Sequence, residues 1–342
     1  MKNTSLKSWV LLCLIVIVVS SCKKSEPTTM PAAQTTKTTT ITPPVYPLPP
    51  YYTNKTKLNK LFSALRSTPQ SLTAIAGIKN SVAGANGTVL TFYPNSFKDA
   101  SGHTITSGTI NIQLTEMYKP GQMIANRATA TSGGIPLISG GQVCISATKN
   151  GQEVYASKYG IAFPQPVTSG QHMNLFYGNT SNADSLVTWT VADTSKAGTR
   201  ASGTMYDSAY SVNVRYEFDS CANFHWINCD YFYSYSGPLT DIKVVVNDTS
   251  FNPSNTEVFL VFPTINSVAT LDYYNSATST FDLSPGHFVS VGFPIDVVVI
   301  TNKNGNYYYF QQTGITTTNG LSITGHMISH TLSYIAAELS TL

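Results

Sequence analysis

Gly108-Thr-Ile-Asn-Ile-Gln-Leu-Thr115 is the stretch of sequence that best defines the fold. Apolar and polar side chains alternate along it: Ile110, Ile112 and Leu114 against Thr109, Asn111 and Gln113. The same period of two recurs in residues 210–218. Such alternation predicts strands with one buried and one solvated face, which is typical of antiparallel sheets. We therefore predict an all-β fold.

Seven further runs of strand length are predicted to be strands. They occupy residues 88–93, 143–148, 241–246, 257–262, 287–293, 296–301 and 307–311. Turn signals separate them: Gly133-Gly134, Gly140-Gly141, Asn150-Gly151 and Asn304-Gly305. The last of these signals lies between two strands and predicts a hairpin. Short strands with regular turns predict antiparallel β-sandwiches (Ig-like in architecture) rather than βαβ units.

Two short helices accompany the strands. Apolar residues at helical spacing predict the first helix, before Pro69: Leu58, Leu61, Phe62 and Leu65. A single apolar stripe favours packing on the first sandwich, with docking to a partner as the alternative. The same spacing predicts a closing helix: Leu332, Ile335, Ala336 and Leu339.

Composition narrows the class of protein. The chain has 342 residues, of which 42% are hydrophobic, so it can bury a sizeable core. Only 11% are charged, against roughly 25% in an average soluble domain. Coiled coils, helix bundles and charged disordered proteins need more Glu, Lys and Arg than this. Thr, Ser, Asn and 20 Tyr fill the polar positions instead, which favours an exported β protein.

The first 21 residues predict a secretory signal peptide. Lys2 and Lys7 precede an apolar run at residues 9–19, and Ser20 and Ser21 follow it. The run has 11 residues, whereas a membrane-spanning helix needs about 20. Removal of the two lysines takes the formal net charge from +3 to +1. A nearly neutral mature protein has no electrostatic reason to bind nucleic acid.

The string Val19-Ser20-Ser21-Cys22 resembles the lipobox of bacterial lipoproteins. The resemblance implies lipid on the Cys22 thiol and cleavage before it, with an ordinary signal peptide as the alternative. Several acyl chains on one residue would anchor the protein to the membrane stably. Lys23, rather than Asp, follows the cysteine, which implies the outer membrane in Gram-negative bacteria. The side of that membrane, periplasmic or surface-exposed, stays open.

Residues 22–52 are rich in Thr and Pro and contain too little apolar surface to fold, so we predict that they form an unfolded tether. Residues 195–208 have the weakest strand pattern and serve as the predicted domain boundary. We thus predict a first β-sandwich with its helix at 53–195 and a second at 208–342.

The first block resembles a ZU5-type β-sandwich, as found in bacterial lipoproteins. The resemblance rests on Gly87-Thr-Val-Leu-Thr-Phe-Tyr-Pro-Asn-Ser-Phe97, residues 108–116, Leu137-Ile-Ser-Gly-Gly141 and Ala162-Phe-Pro-Gln-Pro-Val167. Trp226-Ile-Asn-Cys-Asp230 is similar to a segment of such proteins. The resemblance covers most of residues 71–342 and implies a scaffold. It carries over no catalytic residue, and ZU5 modules elsewhere mainly bind proteins.

Three cysteines remain after Cys13 leaves with the signal and Cys22 takes lipid. Cys221 and Cys229 are eight residues apart and are candidates for a disulfide, which an oxidising compartment permits. Free thiols are the equal alternative. Cys144 lies in an apolar strand, where we expect a small buried hydrophobe.

Motifs for catalysis and metal binding give weak signals. His225 could serve Cys229 as a base, but no third residue is identified that would orient the histidine. His225, Cys229 and Asp230 could also supply metal ligands, but the sequence has no second group of ligands to complete such a site. His326 and His330 are four apart, a zinc-like spacing only if they lie on one helix. No phosphate-binding loop or nucleophile elbow occurs. We predict no catalytic residue, no metal site and no cofactor.

Aromatic residues are the remaining lead to function. Trp226, Tyr231, Tyr233 and Tyr235 cluster in one stretch and are candidate ligand contacts. Cross-strand packing is the alternative role. The sequence favours a non-catalytic binding or structural module at the cell envelope, held to the membrane by lipid, with a glycan or protein partner. The alternatives are a surface glycan-binding lipoprotein and a hydrolase whose site forms only in the fold.

Overall fold

The alternating stretch at residues 108–115 lies almost entirely in one strand of the structure. The computed structural model describes residues 55–164, 173–180, 186–192, 204–206, 215–246 and 248–342. Within them Thr109–Met117 is a nine-residue strand whose isoleucines and leucine are fully buried. The predicted all-β fold, with sheets that are almost entirely antiparallel, is confirmed.

The first half of the chain contains two helices and fourteen strands among its described residues. The helices are α1 Thr56–Leu65 and α2 Pro120–Asn126. The strands are β1 Gln70–Ile75, β2 Asn80–Ala83, β3 Val89–Phe92, β4 Phe97–Lys98, β5 Thr109–Met117, β6 Thr131–Ser132, β7 Ile135–Lys149, β8 Gln152–Ala156, β9 Tyr159–Pro164, β10 Asn174–Asn179, β11 Thr188–Val191, β12 Thr204–Tyr206, β13 Arg215–Cys221 and β14 His225–Phe232.

The described residues of the second half add eleven strands and one helix. The strands are β15 Leu239–Thr240, β16 Ile242–Val246, β17 Thr256–Phe262, β18 Ser267–Thr270, β19 Tyr273–Asn275, β20 Thr280–Asp282, β21 Val289–Ser290, β22 Pro294–Lys303, β23 Asn306–Thr316, β24 Leu321–Gly325 and β25 Ile328–His330. A 3-10 turn, Pro263–Ile265, follows β17, and helix α3 Leu332–Thr341 ends the chain. The predicted strand at 287–293 is shorter than expected, because only Val289–Ser290 pairs.

Two sheets enclose the core of the first half. One sheet has the order β1-β5-β7-β14-β10-β11, with β4, β6 and β8 beside it, and the other has the order β12-β13-β9-β3-β2. Alternating residues of both sheets fill the space between them, among them Leu90, Ile112 and Phe218. This two-layer packing of inward-facing residues is a β-sandwich.

The second half forms another pair of sheets, ordered β18-β17-β22-β23-β25 and β19-β20-β16-β24. Their shared core includes Val244, Leu260 and Val299. One pairing departs from the antiparallel prediction: β16 and β24 run parallel. A long stretch of chain separates these two strands, which is what a parallel connection requires.

Strand pairing corrects the predicted boundary at 195–208. Both β13 and β14 follow that boundary, yet β13 pairs with β9 and β14 pairs with β7 and β10. The first sandwich therefore includes Arg215–Cys221 and His225–Phe232. The described residues from Lys55 to Leu342 lie in one compact unit.

A third apolar cluster joins the two sandwiches. It lies between the outer face of the β7 sheet and one face of β17 and β22, and all three helices contribute to it. The predicted helix at 58–65 is α1, and its apolar stripe is buried here, with Phe62 edge-on to Phe259 at 6.0 Å. The closing helix, α3, buries Ile335 and Leu339 in the same cluster.

The predicted turns are confirmed with one exception. Asn150-Gly151 and Asn304-Gly305 each have positive φ at both residues and close two-residue hairpins. Gly140-Gly141 instead lies inside the 15-residue strand β7, where the register with β14 shifts. This pair is a β-bulge, which adds a residue to one strand and redirects the side chains after it.

Candidate functional site

A row of three side chains crosses the outer face of the β7 sheet. Thr115 of β5 is opposite Cys144 of β7, which in turn is opposite Trp226 of β14. Residues paired across antiparallel strands present their side chains on the same face. The row is therefore the floor of a surface feature, and it combines a hydroxyl, a thiol and an indole ring.

Residues from two helices and a connecting segment rise around this floor. Ser63 belongs to the last turn of α1, residues 66–69 follow that helix, and Asn126 ends α2. Together with the floor they enclose about 400 Å³. We name this feature the α1 groove; its lining is Ser63, Arg66, Ser67, Thr68, Pro69, Thr115, Asn126, Cys144 and Trp226.

Strand alternation explains why Trp226 faces the groove. Its neighbour Ile227 is fully buried in the core of the first sandwich, so Trp226 points to the other face of β14. The indole is half-buried and meets the Trp189 ring edge-on at 6.5 Å. Trp189 itself is buried and donates its indole N–H to the Thr129 carbonyl. Part of the Trp226 ring is thus held by the protein and part lines the groove.

The groove carries one fixed positive charge. Arg66 is exposed and has no ion-pair partner among the described residues. Burial raises the pKa of the Cys144 thiol to about 11, and the nearby Arg66 only partly opposes this effect. The thiol is protonated at neutral pH, and a thiol rather than a thiolate is a poor nucleophile. The groove therefore offers binding groups: a cation, hydroxyls, an amide and an aromatic ring.

The other predicted aromatic contacts do not join Trp226. Tyr231 lies on the opposite face of β14 and packs against the core of the first sandwich. Tyr233 and Tyr235 follow the strand and meet each other edge-on at 87°, and Tyr233 also contacts Phe293. Tyr231 is half-buried, as are Tyr233 and Tyr235. The four candidates do not form one flat row, because strand alternation and the end of β14 send them in different directions.

The candidate disulfide between Cys221 and Cys229 is not formed, and the equal alternative of free thiols is the one found. Both are free, buried thiols, and Cys144 is free as well. Cys221 ends β13 in one sheet, whereas Cys229 lies on β14 in the facing sheet. Burial raises the pKa of both thiols. Closeness in sequence gave no pairing here because the chain crosses from one sheet to the other between them.

His225, Cys229 and Asp230 have separate surroundings. His225 starts β14 with a positive φ of 85° and places Nε2 3.7 Å from a Glu153 oxygen. Cys229 points into the core, and Asp230 is fully buried on the opposite face. Within the described part of the chain, no three His, Cys, Asp or Glu side chains are grouped to hold a metal.

His326 and His330 do not share a helix face. His326 follows strand β24 and His330 ends β25, while α3 begins only at Leu332. His330 stacks on Tyr334 with the ring centroids 3.9 Å apart and the planes at 9°. The spacing of four therefore has no helical meaning at these positions.

Sequence analysis did not identify most of the residues that line the α1 groove. Only Trp226 was a candidate, and Cys144, expected as a buried hydrophobe, is half-buried in the floor. Arg66, Thr115 and Asn126 come from segments far apart in the chain, so no local motif marks them. Cys22, the predicted lipidation residue, lies outside the described residues. No described helix is both long and apolar enough to cross a bilayer.

The fold and the groove define a sandwich-type all-β protein with a polar and aromatic surface groove. No protein-family model matches the chain, and no curated protein matches it either.

Proposed function

We propose that this protein is a lipid-anchored lipoprotein of the bacterial outer membrane that binds a ligand in the α1 groove without chemical conversion. The anchor is supported by the string Val19-Ser20-Ser21-Cys22 and the Thr- and Pro-rich stretch after it. Such a tether holds a folded domain away from the membrane surface. The ZU5-like resemblance is consistent with a binding scaffold.

The observation that carries the binding proposal is the composition of the α1 groove. Trp226, Arg66, Thr115 and Asn126 all line the same groove of about 400 Å³. Ligand sites combine apolar or aromatic surface with a few polar groups that fix orientation. The α1 groove combines one half-buried indole with a cationic and several polar side chains, which is this kind of lining.

A glycan is the second candidate, and Trp226 favours it. Sugar rings present apolar C–H faces, which suit a flat indole, and hydroxyls, which suit Thr, Ser, Asn and Arg side chains. One aromatic ring in a groove fits a single sugar unit or a chain end rather than a long, flat polysaccharide. The hydrolase alternative would need a reacting group in or beside the groove.

The anchor is tested by Cys22→Ala. Lipid is attached through this thiol in the proposal, so the variant should leave the membrane fraction while the wild-type chain stays in it. Cys144→Ala is the matched control and should remain with the membrane. Retention of the Cys22→Ala chain in the membrane fraction would show that anchoring has another cause.

The groove is tested on a glycan array and by pull-down from envelope extracts. Trp226→Leu and Arg66→Gln should each weaken binding about tenfold or more, because truncating a central aromatic or Arg contact typically costs at least 1–2 kcal/mol. Tyr273→Leu, an exposed aromatic outside the groove, is the control and should bind like wild type. Equal binding by all three variants contradicts the site. Newly cleaved glycan on the array would instead favour the hydrolase.

A further inference from the structure

The charge in the lining of the α1 groove has a single sign. Arg66 is charged, and no Asp or Glu is among the described residues that line the groove. A cleft lined by one sign of charge attracts ligands of the opposite sign. A negatively charged ligand therefore suits this lining better than a neutral or a cationic one.

The chain segment along one side of the groove has the same excess of positive charge. Residues 55–69 contain three lysines and one arginine but no acidic residue. Lys55 forms an ion pair with Glu257 of β17 at 3.6 Å. Lys60 is exposed and lies three residues before Ser63, a spacing that makes the two neighbours on the surface of α1. Because Ser63 lines the groove, the Lys60 charge adds to the attraction at its rim.

The acidic residue closest in sequence to the lining is directed away from the groove. Glu116 follows Thr115 in β5, and successive side chains of a strand point to opposite faces. Glu116 is buried and accepts hydrogen bonds from the backbone N–H groups of Asn86 at 2.8 Å and Thr88 at 2.9 Å. Its carboxyl group is thus bound within the first sandwich and does not balance the charge of Arg66.

The backbone of Arg66 is held at the end of α1. Its N–H donates to the Phe62 carbonyl at 3.0 Å, and Phe62 is fully buried. The Arg66 charge acts on the Cys144 thiol in the floor of the groove, where it opposes the effect of burial on the pKa of that thiol. Cys144 is the cross-strand partner of Trp226. The positive charge therefore acts at the floor to which the indole belongs.

A ligand that uses the whole lining needs three kinds of chemical group. A carboxylate accepts two parallel N–H bonds from a guanidinium. A ring with apolar C–H groups packs on an indole, and hydroxyls exchange hydrogen bonds with side chains such as Thr115 and Asn126. Uronic acids, which are sugars with a carboxylate in place of the primary hydroxyl, carry all three.

Size and charge narrow the ligand further. The groove encloses about 400 Å³, close to the lower end of the range of about 300–1,000 Å³ for ligand pockets. This volume suits the end of a glycan chain rather than a long polymer. One guanidinium balances one carboxylate, whereas a phosphate monoester carries a charge of about −1.5 to −2 at neutral pH. A sugar acid is therefore a better match than a sugar phosphate.

We propose that the α1 groove recognises a terminal uronic acid, with Arg66 bound to the carboxylate and Trp226 packed against the sugar ring. This inference rests on the proposed binding function of the groove and adds the ligand class to it. Recognition involves no covalent step.

Isothermal titration calorimetry on the purified full-length protein, at about 0.15 M salt, tests the ligand class. The methyl glycosides of glucose, galactose and mannose are each compared with the corresponding uronic acid and sugar phosphate. At least one uronic acid should bind about tenfold or more tightly than its neutral partner, because hydrogen bonds between ionised groups are the strong ones. A smaller ratio in all three pairs, or no binding of any uronic acid, overturns the inference. Tighter binding of a sugar phosphate, or of a peptide that ends in a free carboxylate, overturns it as well.

Variants separate the role of the charge from that of the ring. Arg66→Gln should weaken binding of the acid alone, so that acid and neutral sugar bind almost equally. Arg66→Lys should keep part of the preference, because it keeps the charge but not the planar fork. Trp226→Leu should weaken binding of both sugars and leave their ratio unchanged. Lys57→Gln, an equal loss of charge on α1 outside the groove lining, is the control and should keep the preference. An undiminished preference in Arg66→Gln contradicts the contact with the carboxylate.

Protection of Cys144 locates the ligand in the wild-type protein. Cys144 lines the groove, whereas Cys221 and Cys229 are buried elsewhere. A saturating uronic acid should slow the modification of Cys144 by iodoacetamide, measured by mass spectrometry. An unchanged rate with the uronic acid bound would place the ligand outside the groove and overturn the inference.

The glycan array distinguishes a failure of this inference from a failure of the proposed function. If the glycans that bind are neutral and their binding depends on Trp226, the uronic acid is wrong and the groove remains a binding site. If binding is unaffected by every groove variant, both the uronic acid and the proposed site are wrong.

Discussion

At the scale of the residue, Asp230 shows how burial changes the chemistry of one side chain. Burial raises its pKa to about 8, although the Ser139 hydroxyl, Asn228 and the Gly140 N–H oppose the rise. In the unfolded chain the pKa returns to about 4. Between these values the folded protein holds a proton that the unfolded chain has lost. The stability contributed by this group is thus complete below about pH 4 and is lost as the pH rises towards 8.

We predict a pH-dependent stability that Asp230→Asn removes. The wild-type free energy of unfolding should fall between about pH 5 and 8, by up to about 1.4 kcal/mol per pH unit from this group. Urea unfolding at each pH measures it. The difference between wild type and Asp230→Asn isolates the contribution from other titrating groups. A difference that is constant across this range would contradict the assigned pKa.

The sequence could predict which residues share a face with Asp230 but not what covers that face. Alternation places Trp226, Asn228 and Asp230 together, and two polar residues in that row suggest a face open to water. In the structure, aromatic residues such as Phe176 and Trp189 belong to the cluster that covers this face. Those contacts join strands that are distant in the chain, so no local pattern contains them.

At the scale of the element, turn chemistry was predictable where it is local. Asn-Gly pairs adopt positive φ by themselves and specify hairpins at Asn150 and Asn304. The Gly140-Gly141 pair looks similar in sequence but is a β-bulge, because β7 continues between β5 and β14. Helix α2 was not predicted, since seven residues starting at Pro120 give too little periodicity. Its position depends on the apolar cluster that it completes.

A buried ion pair joins two of these elements. Arg127, just after α2, has φ of 54° and places its Nε 3.1 Å from a Glu257 oxygen of β17. Arg127 also donates to Asn59 of α1 at 2.8 Å. Burial alone would raise the Glu257 pKa, but Lys55 and Arg127 outweigh it and lower the pKa. Helices α1 and α2 are thereby fixed against the second sandwich.

We predict that Arg127→Met destabilises the protein by about 3–5 kcal/mol, because it leaves the buried Glu257 carboxylate with only Lys55 as a partner. The double variant Arg127→Met, Glu257→Met should recover much of this loss, since no charge then stays buried. Lys303→Met, in the more exposed pair with Asp248, is the control and should cost under about 1 kcal/mol. Chemical denaturation measures all three. Equal losses for Arg127→Met and Lys303→Met would contradict a buried pair.

At the scale of the whole molecule, the two sandwiches are less independent than the sequence predicted. The boundary at 195–208 was placed where strand patterns were weak, but β13 and β14 return to the first pair of sheets after it. Sheet membership depends on pairing between strands far apart in the chain, which a local pattern cannot reveal. The cluster around Phe62, Phe259 and Ile335 then links both sandwiches through all three helices.

This shared cluster leads to a prediction about cooperativity. Trp189 and Trp226 both contribute to it and are the only tryptophans after Trp9 in the sequence. In a chain purified without its first 21 residues, tryptophan fluorescence therefore reports the first sandwich and the shared cluster rather than the second core. If the two sandwiches unfold together, a cavity in the second core must lower the fluorescence midpoint as well. If they are separate domains, that midpoint stays where it is in the wild type.

Val299→Ala makes such a cavity, because Val299 is fully buried between the sheets of the second sandwich. We expect one unfolding transition, lowered by several degrees and identical by calorimetry and by fluorescence, since a lost kcal/mol shifts the midpoint by about 2–4 °C in chains of this size. Val143→Ala, equally buried in the first core, is the matched variant and should lower both signals in the same way. A second calorimetric transition in Val299→Ala, with the fluorescence midpoint unchanged, would show that the shared cluster does not couple the two sandwiches.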